Sequence, residues 1–182
     1  DCGLSPRQRL CLELTIQTGC RTGESISAEW SDFDLESGVW HLSKNKTDAP
    51  RDIKLSEQTR AWLFGMEMMR ESRWLCGSPK RDTHIGQKTL TERMWKLRKE
   101  GRLTDLDPWT PHDLRRSVRT GLSRLGCPRE VAEAVLGHSA GNIIGTYDLH
   151  AYFDEAGAWL QKWNDHIDKL RAKKTHLKLV SA

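Results

Sequence analysis

The sequence predicts an α+β fold, a mostly helical domain that carries one small antiparallel β-sheet. Most of the chain shows apolar residues at helical spacing between capping residues, glycines and prolines that mark helix ends. Two short β-prone runs, at residues 39–42 and 51–55, are separated by turn-forming residues. The length of 182 residues fits one core, so we predict a single domain over residues 1–182.

The first predicted helix covers residues 5–18. Ser5 can cap it, Pro6 suits its first turn, and Gly19 can end it. A short second helix is expected between residues 22 and 30, before a stretch rich in turn-forming aspartates and glycine.

The two β-prone runs predict a hairpin. Residues 51–55 alternate polar and apolar side chains, whereas residues 39–42 are β-prone with poorer alternation. Asn45, Asp48 and Pro50 lie between them. We therefore expect two paired strands joined by a lysine-rich loop.

A third helix is predicted over about residues 56–73, with a buried stripe of Trp62, Leu63, Met66 and Met69. A loop at 74–87 is followed by a helix over about residues 88–101. Most charges on this helix are positive, and we expect them to form one basic face. The tryptophans at helical spacing are predicted to be core residues rather than platforms for nucleic-acid bases; they are Trp62, Trp95, Trp159 and Trp163.

The last third of the chain is predicted to be helical. Helices are expected over about residues 110–125, 128–136 and 154–174, with a short helical stretch near Asn142. Gly137 is the expected C-cap of the middle one. The last helix carries an apolar stripe that packs either on its own core or on a neighbouring subunit; the stripe is Trp159, Leu160, Trp163 and Ile167.

Composition excludes some classes of protein. Mean hydropathy is −0.67, and no apolar run approaches the roughly 20 residues that a membrane-spanning helix needs. The five cysteines form no CxxC pair, which argues against a disulfide framework or a zinc knuckle and favours a reducing cytoplasm. The net charge is only +4, but residues 1–40 are acidic and residues 41–182 are basic. This asymmetry is weak support for a polyanionic partner.

Three short polar segments stand at predicted helix ends or tight turns. They are residues 18–24 (TGCRTGE), residues 112–115 (HDLR), and residues 136–139 (LGHS), the last followed by Tyr147. Strongly polar side chains are costly to bury at such positions without a partner, and the spacing between the three segments makes them informative as a set.

These segments, in this order, resemble the tyrosine recombinase or phage integrase family, and most of all integrases of prophages and genomic islands. The family pattern is TGxRxxE, a hairpin lysine, HxxR, LGH, and a tyrosine nine residues after the last histidine. The resemblance implies the recombinase catalytic fold and six catalytic residues: Arg21, Lys46, His112, Arg115, His138 and Tyr147. Glu24 is expected to support the turn that carries Arg21.

The residue types suit phosphoryl transfer through a tyrosine. A phenol with an ordinary pKa of about 10 is hard to ionise at neutral pH, so the developing charge needs stabilisation. Arg21 and Arg115 can clamp the phosphate oxygens. Lys46 is the preferred general acid for the leaving oxygen and Lys44 its competitor. By resemblance, His112 is closer to the base and His138 to the oxygen-stabilising role.

The resemblance also implies the partners. We expect double-stranded DNA at specific attachment sites, a homotetramer on DNA but a monomer in isolation, no metal, no cofactor and no membrane. The protein would act at the nucleoid in the cytoplasm, and this chain would be the C-terminal catalytic domain without its N-terminal DNA-binding domains. Candidates for contact with the DNA backbone are Lys44, Lys88, Arg93, Lys96, Lys99, Arg116 and Arg119.

Two other functions are considered beside this one. A DNA-binding module that has lost catalysis would keep the basic surface, but here every catalytic position is filled. A metal-dependent nuclease could use His112, Asp113 and His138, yet these lack a recognisable ligand spacing. Cys20 as a nucleophile is disfavoured because no histidine is adjacent to it and small buried cysteines are common.

Overall fold

The computed structural model describes residues 3–42, 50–79, 82–102, 107–138 and 152–180, with side chains described to residue 173. The predicted fold class is confirmed: helices surround one small three-stranded sheet. The helices are α1 (Pro6–Thr18), α2 (Thr22–Ile26), α3 (Glu57–Glu67), α4 (Gln87–Lys99), α5 (Pro111–Arg124), α6 (Arg129–Leu136) and α7 (Phe153–Val180). The strands are β1 (Phe33–Asp34), β2 (Val39–Leu42) and β3 (Arg51–Lys54).

The first helix begins and ends where the sequence predicts. The Ser5 hydroxyl accepts a hydrogen bond from the Gln8 amide, and the Gln8 side chain accepts one from the Ser5 amide. This capping box satisfies amides that a helix start leaves unpaired. At the other end, Gly19 adopts a left-handed conformation with φ 69° and returns its amide to the Thr15 carbonyl.

The predicted hairpin is present, and it gains a third strand. β2 and β3 pair antiparallel, with Val39 opposite Lys54 and Leu42 opposite Arg51. The sequence interpretation missed β1, because its two residues lie inside a run of turn formers. Burial decides their conformation: Phe33 is buried and stacks on Trp40 with ring centroids 5.1 Å apart.

Helix α3 is shorter than predicted. It ends at Glu67, and the segment after it turns so that the Arg73 carbonyl accepts a hydrogen bond from the Trp30 amide. Leu63 is fully buried as predicted, but the predicted burial of Met69 is wrong, since 66% of it is exposed. The predicted helix was too long because apolar residues at helical spacing continue in the sequence beyond Glu67, where the helix ends.

Helix α7 packs against its own chain over the part whose side chains are described. Leu160, Trp163 and Ile167 are buried, the Trp163 indole N–H donates to the Ile16 carbonyl at 2.7 Å, and the Asn164 amide donates to the Gln17 carbonyl at 2.9 Å. Of the two packing modes left open by the sequence, this part of the helix therefore adopts the intramolecular one.

The remaining helix predictions divide into three outcomes. Helices α4, α5 and α6 lie close to their predicted ranges, and the stretch near Asn142 falls outside the described residues. The prediction that Trp95 is a core residue is wrong: 59% of it is exposed, because the buried face of α4 is formed by Leu90, Met94 and Leu97.

No helix in the described ranges is both long enough and apolar enough to cross a bilayer.

The contact between α5 and α7 gives a test of this packing. A methyl group at Gly121 would overlap the indole ring of Trp163, so Gly121→Ala should lower the free energy of unfolding by about 1–3 kcal/mol. Thermal and urea unfolding measure the change. Gly65→Ala is the matched control, because this helical glycine has no atom within 4 Å of its would-be side chain and the substitution should stabilise by about 0.5–1 kcal/mol. Equal effects at both positions would contradict the packing of Trp163 on α5.

Candidate active site

The guanidinium of Arg115 joins the three polar segments. One of its nitrogens donates to the Gly19 carbonyl at 2.7 Å, and the other donates to the Leu136 carbonyl at 2.7 Å. Both carbonyls belong to helix C-termini, where backbone oxygens lack intrahelical partners and carry partial negative charge. The arginine therefore ties α5 to the ends of α1 and α6.

Glycine at position 137 is required by the same arrangement. Gly137 has φ 65°, in the left-handed region, and a side-chain carbon there would overlap the guanidinium of Arg51. The left-handed turn ends α6 and brings His138 beside Arg115. Gly137, the glycine of the LGH segment, is thus needed for the left-handed turn and for the close packing of Arg51.

Glu24 is the buried acceptor of the site. Its side chain is 1% exposed. One carboxylate oxygen accepts from the Arg21 amide at 2.6 Å and from the Arg51 guanidinium at 2.9 Å, while the other accepts from the Arg21 guanidinium at 3.1 Å. Arg51 also donates to the Val135 carbonyl at 3.2 Å. The turn that carries Arg21 is thereby fixed to β3 and to α6.

The cluster holds more positive than negative charge. Burial, followed by the charges of Arg21 and Arg51, lowers the pKa of Arg115 to about 10. This value is still well above neutral, so the guanidinium stays protonated. Three guanidinium groups thus surround one buried carboxylate, that of Glu24, and an added anion would be attracted to them.

The two histidines lie at helix ends. His138 is 46% exposed; its Nε2 lies 2.9 Å from the Arg115 guanidinium and its Nδ1 lies 2.6 Å from the Glu133 carboxylate. His112 is exposed in the first turn of α5, three residues before Arg115 and so on the same side of that helix. Lys46, its competitor Lys44, and Tyr147 lie outside the described residues.

Comparison with known proteins identifies the family. The model of the phage integrase family matches residues 3–153. The chain belongs to the phage integrase family. It is 29% identical over 172 residues to a shufflon-specific DNA recombinase of Escherichia coli, covering 93% of this chain and 38% of that protein. It is 24% identical over 154 residues to a probable integrase/recombinase of Methanocaldococcus jannaschii, covering 78% of this chain and 45% of that one.

Solved structures share the fold. The catalytic core of lambda integrase superposes with a TM-score of 0.57 at 24% identity, covering 77% of this chain and 84% of that one. The XerA recombinase superposes with a TM-score of 0.55 at 20% identity, covering 90% of this chain and 62% of that one. The chain spans less than half the length of the curated relatives described above.

The geometry of this integrase-family domain bears on the two alternative site chemistries. Cys20 is fully buried, and burial, reinforced by the charge of Glu24, raises its thiol pKa to about 12, which leaves no thiolate at neutral pH. Asp113 caps α5, since its carboxylate accepts from the Thr110 amide and hydroxyl and from Arg116. Among the described residues, no three histidine, cysteine or acidic side chains converge as metal ligands would.

Two residues of the site were missed by sequence reasoning. Arg51 shares the buried face of β3 with Ile53, and a charged residue on the inward face of an alternating strand was the available signal. Glu133 lies five residues before His138 on α6. No motif marks it, because its contact with His138 depends on the left-handed turn at Gly137.

The candidates for DNA-backbone contact differ in what they touch. Lys88, Lys96 and Lys99 are exposed on α4, and Lys99 lies 3.9 Å from the ring centre of the exposed Trp95. The three candidate arginines make contacts within the protein: Arg93 with the Gly3 carbonyl, Arg116 with Asp113, and Arg119 with Glu133 and Ser123.

Loss of the buried carboxylate should be costly. Glu24→Gln keeps the size of the side chain but leaves the guanidinium of Arg51 buried without a countercharge, so we expect the free energy of unfolding to fall by about 3–5 kcal/mol. The urea unfolding midpoint measures this. The exposed Glu36 supplies the control, since Glu36→Gln should change stability by less than about 0.5 kcal/mol. If both variants unfolded at the same urea concentration, the role of Glu24 as central acceptor would be wrong.

Proposed function

We propose that this domain cleaves and rejoins DNA by metal-independent phosphoryl transfer through a 3′-phosphotyrosine at Tyr147, in site-specific recombination of a prophage or genomic island. One observation carries the proposal. The buried Arg115 contacts both the turn beside Arg21 and the helix end beside His138, segments 96 and 23 residues away in sequence. Family membership supports it, and among the described motif residues Arg21, Arg115 and His138 belong to one hydrogen-bonded cluster with Glu24 and Arg51.

The arginines perform the electrostatic part of the reaction. A scissile phosphate gains negative charge in the equatorial oxygens as the tyrosine attacks, and guanidinium groups bind such oxygens in a forked geometry. Arg115 is held in place by two helix-end carbonyls before any substrate arrives. Arg21 is one third exposed and can reach a ligand while its amide stays bound to Glu24.

The protons move through the remaining residues. The Tyr147 phenol must lose its proton, which costs about 4 kcal/mol at neutral pH for a phenol with an ordinary pKa. His112, on the exposed first turn of α5, is the proposed base. Lys46, or Lys44 in its place, protonates the departing 5′ oxygen, and His138 stabilises a phosphate oxygen. The phosphotyrosine conserves the energy of the phosphodiester, so a 5′ hydroxyl can attack it and rejoin the strand.

The partner is double-stranded DNA at specific attachment sites. The exposed lysines of α4, with Trp95 among them, are proposed to face its phosphate backbone. Solved relatives with this fold include a lambda integrase dimer bound to a core site, at a TM-score of 0.59 and 23% identity. For the present protein we propose a homotetramer on DNA, a monomer away from it, and action at the nucleoid in the cytoplasm.

The covalent intermediate provides the decisive test. With a nicked suicide substrate, whose short 5′ product diffuses away and prevents rejoining, the native protein should accumulate a denaturant-resistant protein–DNA adduct. Tyr147→Phe removes the nucleophilic oxygen and should abolish the adduct while leaving DNA binding intact. Tyr152→Phe is the matched control, because it changes the only other tyrosine in the chain and should still give adduct. DNA binding without any adduct from the native protein would favour the binding module, and adduct only with added divalent metal would overturn the mechanism.

The basic face of α4 is tested through the salt dependence of binding. Each phosphate contact that is lost should make the slope of log binding constant against log salt about 0.9 less negative. Lys96→Gln and Lys99→Gln are therefore each expected to reduce the slope by about that amount and to weaken binding for all DNA sequences alike. Lys169→Gln, an exposed lysine on α7, is the control and should leave the slope unchanged. If all three variants kept the slope of the native protein, α4 would face solvent rather than DNA.

A further inference from the structure

One carboxylate joins His138 to a second arginine of α5. An oxygen of Glu133 lies 2.6 Å from Nδ1 of His138, and the other oxygen accepts a hydrogen bond from Nε of Arg119 at 2.9 Å. Arg119 also donates to the Ser123 hydroxyl at 2.6 Å. Arg119 on α5, Glu133 on α6 and His138 are therefore linked by consecutive hydrogen bonds.

The backbone reinforces this contact. The left-handed turn at Gly137 reverses the chain at the end of α6, and the His138 amide donates to the Glu133 carbonyl at 3.0 Å. His138 is thus bound to Glu133 through both its main chain and its ring. A half-exposed side chain would otherwise sample several rotamers, and two contacts to one residue restrict it.

The hydrogen bonds define the tautomer of His138. An arginine has donors only, so Nε2 beside the Arg115 guanidinium accepts and the ring hydrogen lies on Nδ1, pointing at Glu133. Other charges act on the ring as well. The Arg115 guanidinium, which has the charges of Arg21 and Arg51 near it, opposes a positive charge on the ring, whereas the Glu133 carboxylate favours one. Arg119 partly offsets the negative charge of that carboxylate.

Glu133 keeps its negative charge at neutral pH. Burial tends to raise its pKa, but the hydrogen bonds from His138 and Arg119, together with the positive charge of Arg119, outweigh this and lower the pKa below the usual value of a glutamate. A carboxylate at Nδ1 fixes the orientation of an imidazole and stabilises the imidazolium that forms when Nε2 takes a proton.

We propose that Glu133 is a positioning residue for His138, and that Arg119 holds Glu133 in place. With Nδ1–H fixed on Glu133, Nε2 faces the guanidinium cluster, where the phosphate is expected. When Nε2 gains a proton, the imidazolium can donate it in a hydrogen bond to a non-bridging phosphate oxygen, while Nδ1–H stays on Glu133. The inference rests on the proposed function for its effect on catalysis, but its effect on the state of His138 is independent of that function.

The first measurement uses the protein without DNA. The pKa of His138 is read from the NMR titration of its ring resonance, assigned by comparison with His138→Gln. Glu133→Gln keeps the size and the acceptor oxygen of the side chain but removes its charge, and should lower the pKa of His138 by about 0.5–1 unit. Glu130→Gln, an exposed carboxylate on the first turn of α6, is the matched control and should shift it by much less.

The second measurement is the rate of adduct formation on the suicide substrate as a function of pH. Glu133→Gln should lower the rate about tenfold to a hundredfold and move the alkaline limb of the profile to lower pH by the same shift seen in the titration. Arg119→Gln should give a smaller loss in the native background and almost none in the Glu133→Gln background, because it acts through Glu133. Unfolding curves for each variant exclude a general loss of fold.

The outcomes separate the two proposals. An unchanged His138 pKa together with an unchanged pH profile in Glu133→Gln would overturn the positioning role. If Arg119→Gln lowered the rate equally in both backgrounds, the claim that Arg119 acts through Glu133 would be wrong. If the native protein forms no adduct, the proposed function fails, but the titration of His138 still decides whether Glu133 controls the state of this ring.

Discussion

The site depends on the guanidinium of Arg115, because this group donates hydrogen bonds to the ends of two helices at once. The carbonyls of Gly19 and Leu136 are left without intrahelical partners where α1 and α6 stop, and a buried arginine satisfies both. Removing the guanidinium would leave these oxygens unpaired and would also remove the partner of His138 Nε2. The side chain that we propose to bind the phosphate is therefore also the one that caps two helices.

A second constraint follows from the charge. Guanidinium groups are costly to bury, and the cluster places three of them near one buried carboxylate that forms ion pairs with two, Arg21 and Arg51. Glu24 does not neutralise the site; it fixes the arginines while positive charge remains for a ligand. Arg51 extends the cluster to β3, and the glycine at position 137 leaves room for it. The sheet is thus connected to the site through its third strand.

The histidine at the end of α6 shows how a short motif depends on residues outside it. The LGH segment provides the turn and the imidazole, but the tautomer of that imidazole is set by Glu133 on one side and Arg115 on the other.

The exposed lysines and tryptophan of α4 lie on the face opposite to Leu90, Met94 and Leu97. Burial of the apolar face is what presents the basic one to solvent.

The sequence by itself determined the fold class, the limits of most helices and the family, because capping residues, apolar spacing and ordered motifs are local signals. Tertiary structure alone decided that β1 forms, that α3 stops at Glu67, and that Met69 and Trp95 face outward. It also brought Arg51 and Glu133 into the site. The reason is physical: such contacts join residues far apart in the chain or across a left-handed turn, and hydrophobic spacing carries no information about which neighbour a side chain will meet.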